Sequence, residues 1–103
     1  MERVYVVEVF HPARLVLRGP VVLEREGVYG REHFAWLGPA AMYISRRHFA
    51  LKRAGGALYI LDLGSTNGTY VNGVDIRGEG LVELYRGDVV NVAGVVEFIV
   101  EEE

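Results

Sequence analysis

The chain has 103 residues, half of them hydrophobic, no cysteine, and a formal charge of −3 from 11 basic and 14 acidic side chains. That length sets a prior of one domain, and the apolar fraction supplies a core and argues against disorder. Zero cysteine excludes a disulfide-stapled secreted mini-protein and a cysteine zinc site, short broken apolar runs exclude a membrane-spanning helix, and the acidic balance disfavours general nucleic-acid binding.

From the N-terminus, Glu2, Arg3 and Glu8 interrupt the first segment, so no secretory signal is read there. The expectation is a cytoplasmic protein whose N-terminus is intact at Met1. Short, valine-rich segments then read as strands at residues 5–9, 15–17, 21–23, 49–52, 58–61, 70–71, 74–76, 81–84, 89–92 and 95–100. Turn chemistry separates them: Arg18-Gly19-Pro20, Gly55-Gly56, Arg86-Gly87-Asp88 and Ala93-Gly94 mark breaks. Asn72-Gly73 is the strongest hairpin signal, because a type I′ turn needs positive φ twice. Only residues 32–43 tolerate a helix, and Gly38-Pro39 interrupts them. The pattern predicts an all-β sandwich or barrel of about ten short strands over residues 1–100, followed by a frayed acidic tail, 101–103. The chain has no Gln and ten Arg to one Lys, a bias that high-temperature life or a GC-rich genome would each produce.

Two finer counts point toward function. Glu101, Glu102 and Glu103 carry the whole net charge, so residues 1–100 are formally neutral. The chain has only four hydroxyl side chains of the Ser/Thr type: Ser45 alone, and Ser65, Thr66 and Thr69 close together. They fall in two of four stretches that combine hydroxyls, guanidinium groups and Gly-rich turns: Gly30-Arg31, Ser45-Arg46-Arg47-His48, the run from Leu63 to Thr69, and Val71-Asn72-Gly73. Gly- and Asn-rich turns direct backbone N–H groups toward a common point, which suits an anion. Arginine presents a planar fork of donors matching phosphate, and hydroxyls donate to the remaining oxygens. None of the four stretches holds a carboxylate, so the residues by themselves suggest a phosphate or carboxylate site on a loop rim.

The ordered set Gly30-Arg31, Ser45-x-x-His48, Gly64-Ser65-Thr66-Asn67-Gly68-Thr69 and Val71-Asn72-Gly73 resembles the forkhead-associated (FHA) domain, over nearly the whole chain. The resemblance implies an FHA-like β-sandwich of about 10–11 short, mainly antiparallel strands that binds phosphothreonine peptides through loops at one end. It implies that Arg31 clamps the phosphate and that Ser45 donates its hydroxyl. Arg46 would add its backbone N–H and side chain, Thr66 would shape the pocket, and Asn67 would hold the peptide main chain. His48 would sit inward and brace the loops, while Gly30, Gly64, Gly68, Asn72 and Gly73 would set turns without touching ligand. The implied partner is a phosphothreonine-containing protein, a Ser/Thr kinase or its substrate, with no cofactor, metal, nucleic acid or membrane.

One stretch departs from the family pattern. Residues 34–43 are unusually apolar for a binding loop, with Phe34, Trp36 and Met42. They support an alternative: a phosphate-independent interaction or dimerisation scaffold that uses this loop. A hydrolase built on Ser45, His48 and Asp62 is disfavoured. Residues i and i+3 of an extended stretch point to opposite faces, and no Gly-x-Ser-x-Gly elbow is present. Neither His11 nor His33 has metal-ligand spacing, so the expectation is no enzyme and no metal site.

Overall fold

A computed structural model describes residues 14–103, so the strand expected at 5–9 and His11 lie outside the described residues. The described residues form ten strands in two antiparallel sheets. The first sheet holds β1 (Leu15–Arg18), β2 (Val22–Leu23), β6 (Thr69–Val71), β7 (Val74–Asp75), β9 (Val89–Val92) and β10 (Val96–Glu102), in the order β2-β1-β10-β9-β6-β7. The second holds β3 (Gly27–Tyr29), β4 (Phe49–Ala54), β5 (Ala57–Asp62) and β8 (Val82–Leu84), in the order β3-β4-β5-β8. Strand β3 was not anticipated. Only three residues long, it is ordered by pairing Tyr29 with Phe49, which no local pattern announces.

Period-two alternation packs the sheets face to face. Along β5, Leu58, Ile60 and Asp62 are buried, and along β10 Val96, Phe98 and Val100 are buried while Glu97 and Ile99 face out. Each large side chain fully removed from water contributes about 1.5–3 kcal/mol. The Asn-Gly signal is realised as expected: Asn72 and Gly73 take φ of 51° and 80° between β6 and β7.

Between β3 and β4 the chain runs through 3-10 turns from Arg31 to Tyr43, broken at Phe34 and at Gly38, where φ is 66°. The apolar character of this stretch has a structural cause. Phe34 is fully buried, with its ring edge-on to Phe98 at 6.2 Å and tilted against Phe49 at 6.3 Å, and Ala41 is also buried. Phe34 therefore belongs to the core and not to an exposed binding loop. Trp36, Met42 and Tyr43 do face solvent, at 46%, 68% and 59% exposure.

The tail needs a correction. Strand β10 continues to Glu102, with Glu101 opposite Val16 and Glu102 opposite Leu15, and the Glu103 amide donates to the Arg14 carbonyl. Three exposed ion pairs, Arg14–Glu103, Arg18–Glu101 and Arg86–Glu102, add to this. The acidic residues are held because β1 offers a backbone partner while Arg14, Arg18 and Arg86 offer basic side chains, which composition alone does not reveal.

Candidate phosphate-binding loops

Register sets the site. Tyr29 at the end of β3 pairs with Phe49 at the start of β4, and Phe49 pairs with Asp62 at the end of β5. The loops that leave these positions, 30–48 and 63–68, therefore emerge at one end of the sandwich. Backbone bonds lock them together. The Arg31 amide donates to the Ser45 carbonyl at 3.0 Å, the His48 amide to Tyr29 at 2.8 Å, and the Leu63 amide to His48 at 2.9 Å.

His48 is fully buried at this junction. Its Nδ1 accepts the Ser45 backbone N–H at 3.0 Å, so Nδ1 is unprotonated. Its Nε2 lies 2.8 Å from the Gly68 carbonyl, which only accepts, so Nε2 carries the proton. Burial pushes the imidazolium down in pKa; the Gly68 bond and the nearby Asp62 charge push it up without overcoming that, and His48 is held below its ordinary value. One neutral side chain thus staples the loop at Ser45 to the loop at Gly68.

The second loop is organised by a residue outside all four stretches. Asp62, only 7% exposed, accepts from four donors. They are the Gly64 and Ser65 amides at 2.9 Å each, the Ser65 hydroxyl at 2.6 Å and the Thr69 hydroxyl at 2.7 Å. Burial raises its pKa, but the bonds from Ser65, Thr69 and Gly64 outweigh burial and hold the carboxyl below its ordinary value. The Ser65 hydroxyl also accepts the Gly68 amide at 3.0 Å. The clustered hydroxyls at 65 and 69 therefore serve the interior of the turn. The available signal was a carboxylate two residues before a Gly-Ser turn, an arrangement that suits self-capping of a loop.

Thr66 and Asn67 protrude at the tip, both exposed. The Thr66 amide donates to the Ser45 hydroxyl oxygen at 3.1 Å, which joins the two loops a second time and leaves the Ser45 hydroxyl proton free to donate outward. The Thr66 carbonyl is held by Arg77 Nη1 at 2.8 Å, and Arg77 is itself clamped by Asp75, with Nη2 to Oδ2 at 2.6 Å. Asn67 Nδ2 donates to the Tyr43 carbonyl at 2.8 Å, tying the tip to the end of the 3-10 turns. Arg77 and Tyr43 were not anticipated as supports, since each acts across the fold from its sequence neighbours.

Arg31 is half-buried, and its Nε donates to the Ile44 carbonyl at 2.9 Å, which orients the guanidinium. Arg31 and exposed Arg46 line one open depression of about 450 Å³. One expectation about a nearby residue needs correction. Gly30 does not set a turn: its φ of −162° is ordinary extended backbone. It is glycine because a Cβ there would lie 1.7 Å from the Arg46 carbonyl oxygen. Glu32, which lies outside the four stretches, lines the same depression. Gly64 and Gly68 do sit in turns; Gly68 has φ of 87°, and a Cβ there would crowd the Tyr70 ring at 2.8–2.9 Å. Asn72 bonds Asp88 at 3.0 Å and the Val89 amide at 2.9 Å, at the far end of β6 from Thr69. With Gly73 it supports the sheet at a distance from the loops.

A Ser45–His48–Asp62 triad is not assembled. Both His48 nitrogens are committed to backbone groups, and Asp62 bonds Ser65 and Thr69 in place of the imidazole. No helix among the described residues is long and apolar enough to cross a membrane.

Comparison with known proteins shows what the chain as a whole resembles. The sequence pattern of the FHA domain matches residues 28–93. An FHA domain studied for phosphothreonine-dependent interactions is 30% identical, with a TM-score of 0.66 over 86% of this chain and 96% of that one. Mycobacterium tuberculosis EmbR, solved with a low-affinity phosphopeptide, is 26% identical at a TM-score of 0.69, over 88% of this chain and 25% of EmbR. The FhaA FHA domain, solved in complex with the intracellular domain of another protein, is 30% identical at a TM-score of 0.63, over 84% and 99% of the two chains. No curated protein sequence matches the chain.

Proposed function

The chain belongs to the FHA domain family, and on that premise we propose that it is a phosphothreonine-peptide binding module that docks proteins phosphorylated by Ser/Thr kinases. The observation that carries this reading is the joining of two loops through the Ser45 hydroxyl and the Thr66 amide, with the Arg31 backbone bonded to Ser45. This arrangement supports a cluster of donors: the outward proton of Ser45, the Arg31 guanidinium, Arg46 and the Thr66 hydroxyl. A phosphothreonine carries about −1.5 to −2 charges and three acceptor oxygens, which such a cluster suits. Asn67, already anchored to Tyr43, keeps its side-chain oxygen for a peptide N–H. The body of the domain is neutral, so affinity comes from local arrangement and not from a long-range field.

Calorimetric titration with a phosphothreonine peptide library and its unphosphorylated twin tests the reading. Binding is expected only with phosphate. Arg31→Ala is expected to abolish it, a loss on the order of 2–5 kcal/mol, as for one partner of a hydrogen-bonded charge pair. Ser45→Ala removes one neutral donor and is expected to cost roughly 1–3 kcal/mol. Equal affinity for both twins would overturn the proposal.

The exposure of Trp36, Met42 and Tyr43 favours a second reading, a phosphate-independent contact or homodimer through this stretch. Under that reading, sedimentation of the wild type shows a dimer that Trp36→Ala dissolves, and phosphorylated peptides show no preference.

A further inference from the structure

The depression shared by Arg31 and Arg46 has a floor of Ala35, Gly38 and Ala41 and a third charged wall, Glu32. The floor carries no polar side-chain atom, so it takes hydrocarbon. Glu32 is exposed, and none of the ion pairs among the described residues involves Glu32, Arg31 or Arg46. On the phosphothreonine reading, a phosphate held by both Arg31 and Arg46 consumes the positive charge lining this depression. Glu32 is then left as a free carboxylate next to a dianion, an unfavourable juxtaposition unless the ligand brings a cation.

Three kinds of neighbouring peptide side chain can be compared. An acidic one adds a second repulsion against Glu32. A short apolar one covers the Ala35–Ala41 floor and leaves Glu32 unpaired. A lysine or arginine satisfies both features: its methylene stem lies on the small-residue floor while its charged head reaches Glu32 at the rim. We propose that this depression is a subsite for a basic residue flanking the phosphothreonine, and that Glu32 is the residue that selects it.

Glu32 is exposed, so the effect is modest and screened: exposed ion pairs convert to a preference of about two- to fivefold. The test uses the full chain and phosphothreonine peptides in which each position within three residues of the phosphothreonine is Lys, Ala, Leu or Glu in turn. Titrations are run on the wild type and on Glu32→Gln, at low and high salt. At one flanking position Lys is expected to bind about two- to fivefold tighter than Ala. Glu32→Gln is expected to erase that ratio by raising affinity for the Ala peptide, and added salt is expected to shrink it in the wild type. A Lys preference at no position, a preference that survives Glu32→Gln, or a stronger preference for Leu or Glu at the responsive position overturns the subsite and leaves phosphothreonine binding standing. Failure of every phosphorylated peptide to bind overturns both.

Discussion

His48 spends both ring nitrogens on the backbone, and this gives the domain a specific acid sensitivity. The folded state keeps the ring neutral, with its pKa lowered by burial from the ordinary 6.5. As pH falls below that ordinary value, the unfolded chain takes up a proton that the folded chain refuses, so folded stability is lost on acidification through that range. Urea unfolding at about pH 7.5 and about pH 5.5 is expected to show less stability at the lower pH, a slope that His48→Gln reduces. An identical slope in the two proteins would refute this account. Gly30 gives a second residue-scale prediction. With the Arg46 carbonyl 1.7 Å from any added Cβ, Gly30→Ala forces the two loops apart. The expected cost is about 1–3 kcal/mol in stability by thermal melting, together with loss of phosphopeptide affinity. The need for glycine at 30 was legible in the motif, but its reason was not: the residue it must clear is sixteen positions away, and local turn chemistry contains no term for such a contact.

At the scale of elements, the segment from Asp62 to Thr69 is a self-capped loop. Four donors converge on one buried carboxylate, and bonds to a charged acceptor are stronger than neutral ones. Asp62→Ala leaves the buried Ser65 and Thr69 hydroxyls without their acceptor. The expected destabilisation is about 2–4 kcal/mol in chemical denaturation, with weaker phosphopeptide binding because Thr66 loses its foundation. Retention of full stability would show that the network is dispensable. The element also explains why hydroxyls are kept at 65 and 69 in a chain otherwise nearly free of them. Their clustering was visible in the sequence, whereas their inward direction was not. A run of Ser, Thr, Asn and Gly reads as exposed turn, and only the position of Asp62 at the end of β5 shows which hydroxyls turn back.

For the whole molecule, the C-terminal strand pairs with β1 through Glu102, and the acids of the tail are part of that pairing. Deleting residues 101–103 removes the pairs Glu101–Val16 and Glu102–Leu15 together with three exposed ion pairs. The ion pairs themselves are worth little, on the order of 0.2–1 kcal/mol each. The expected loss is about 1–2 kcal/mol, which lowers Tm by roughly 5–10 °C for a domain of this size. Phosphopeptide affinity is expected to stay at the wild-type value, since no residue of the candidate site bonds the tail. A Tm unchanged by the deletion would return the tail to the role of a solubilising end.

The class of the fold and the family were legible in the local order of residues. Period-two apolar segments and turn residues such as Asn72-Gly73 are local properties, and both the strand pattern and the ordered motifs are read from neighbours along the chain. The placement of Arg31, Ser45, Arg46, Thr66 and Asn67 in two loops followed from those motifs. Relations between residues far apart emerge only in the folded chain: Phe34 in the core against Phe98, Arg77 holding Thr66, Asp62 beneath the turn, Glu32 facing the Arg31 depression, and the tail paired with β1. The reason is physical. Propensity and periodicity act within a few residues, whereas packing and hydrogen-bond satisfaction are settled only when sheet register brings distant groups within reach.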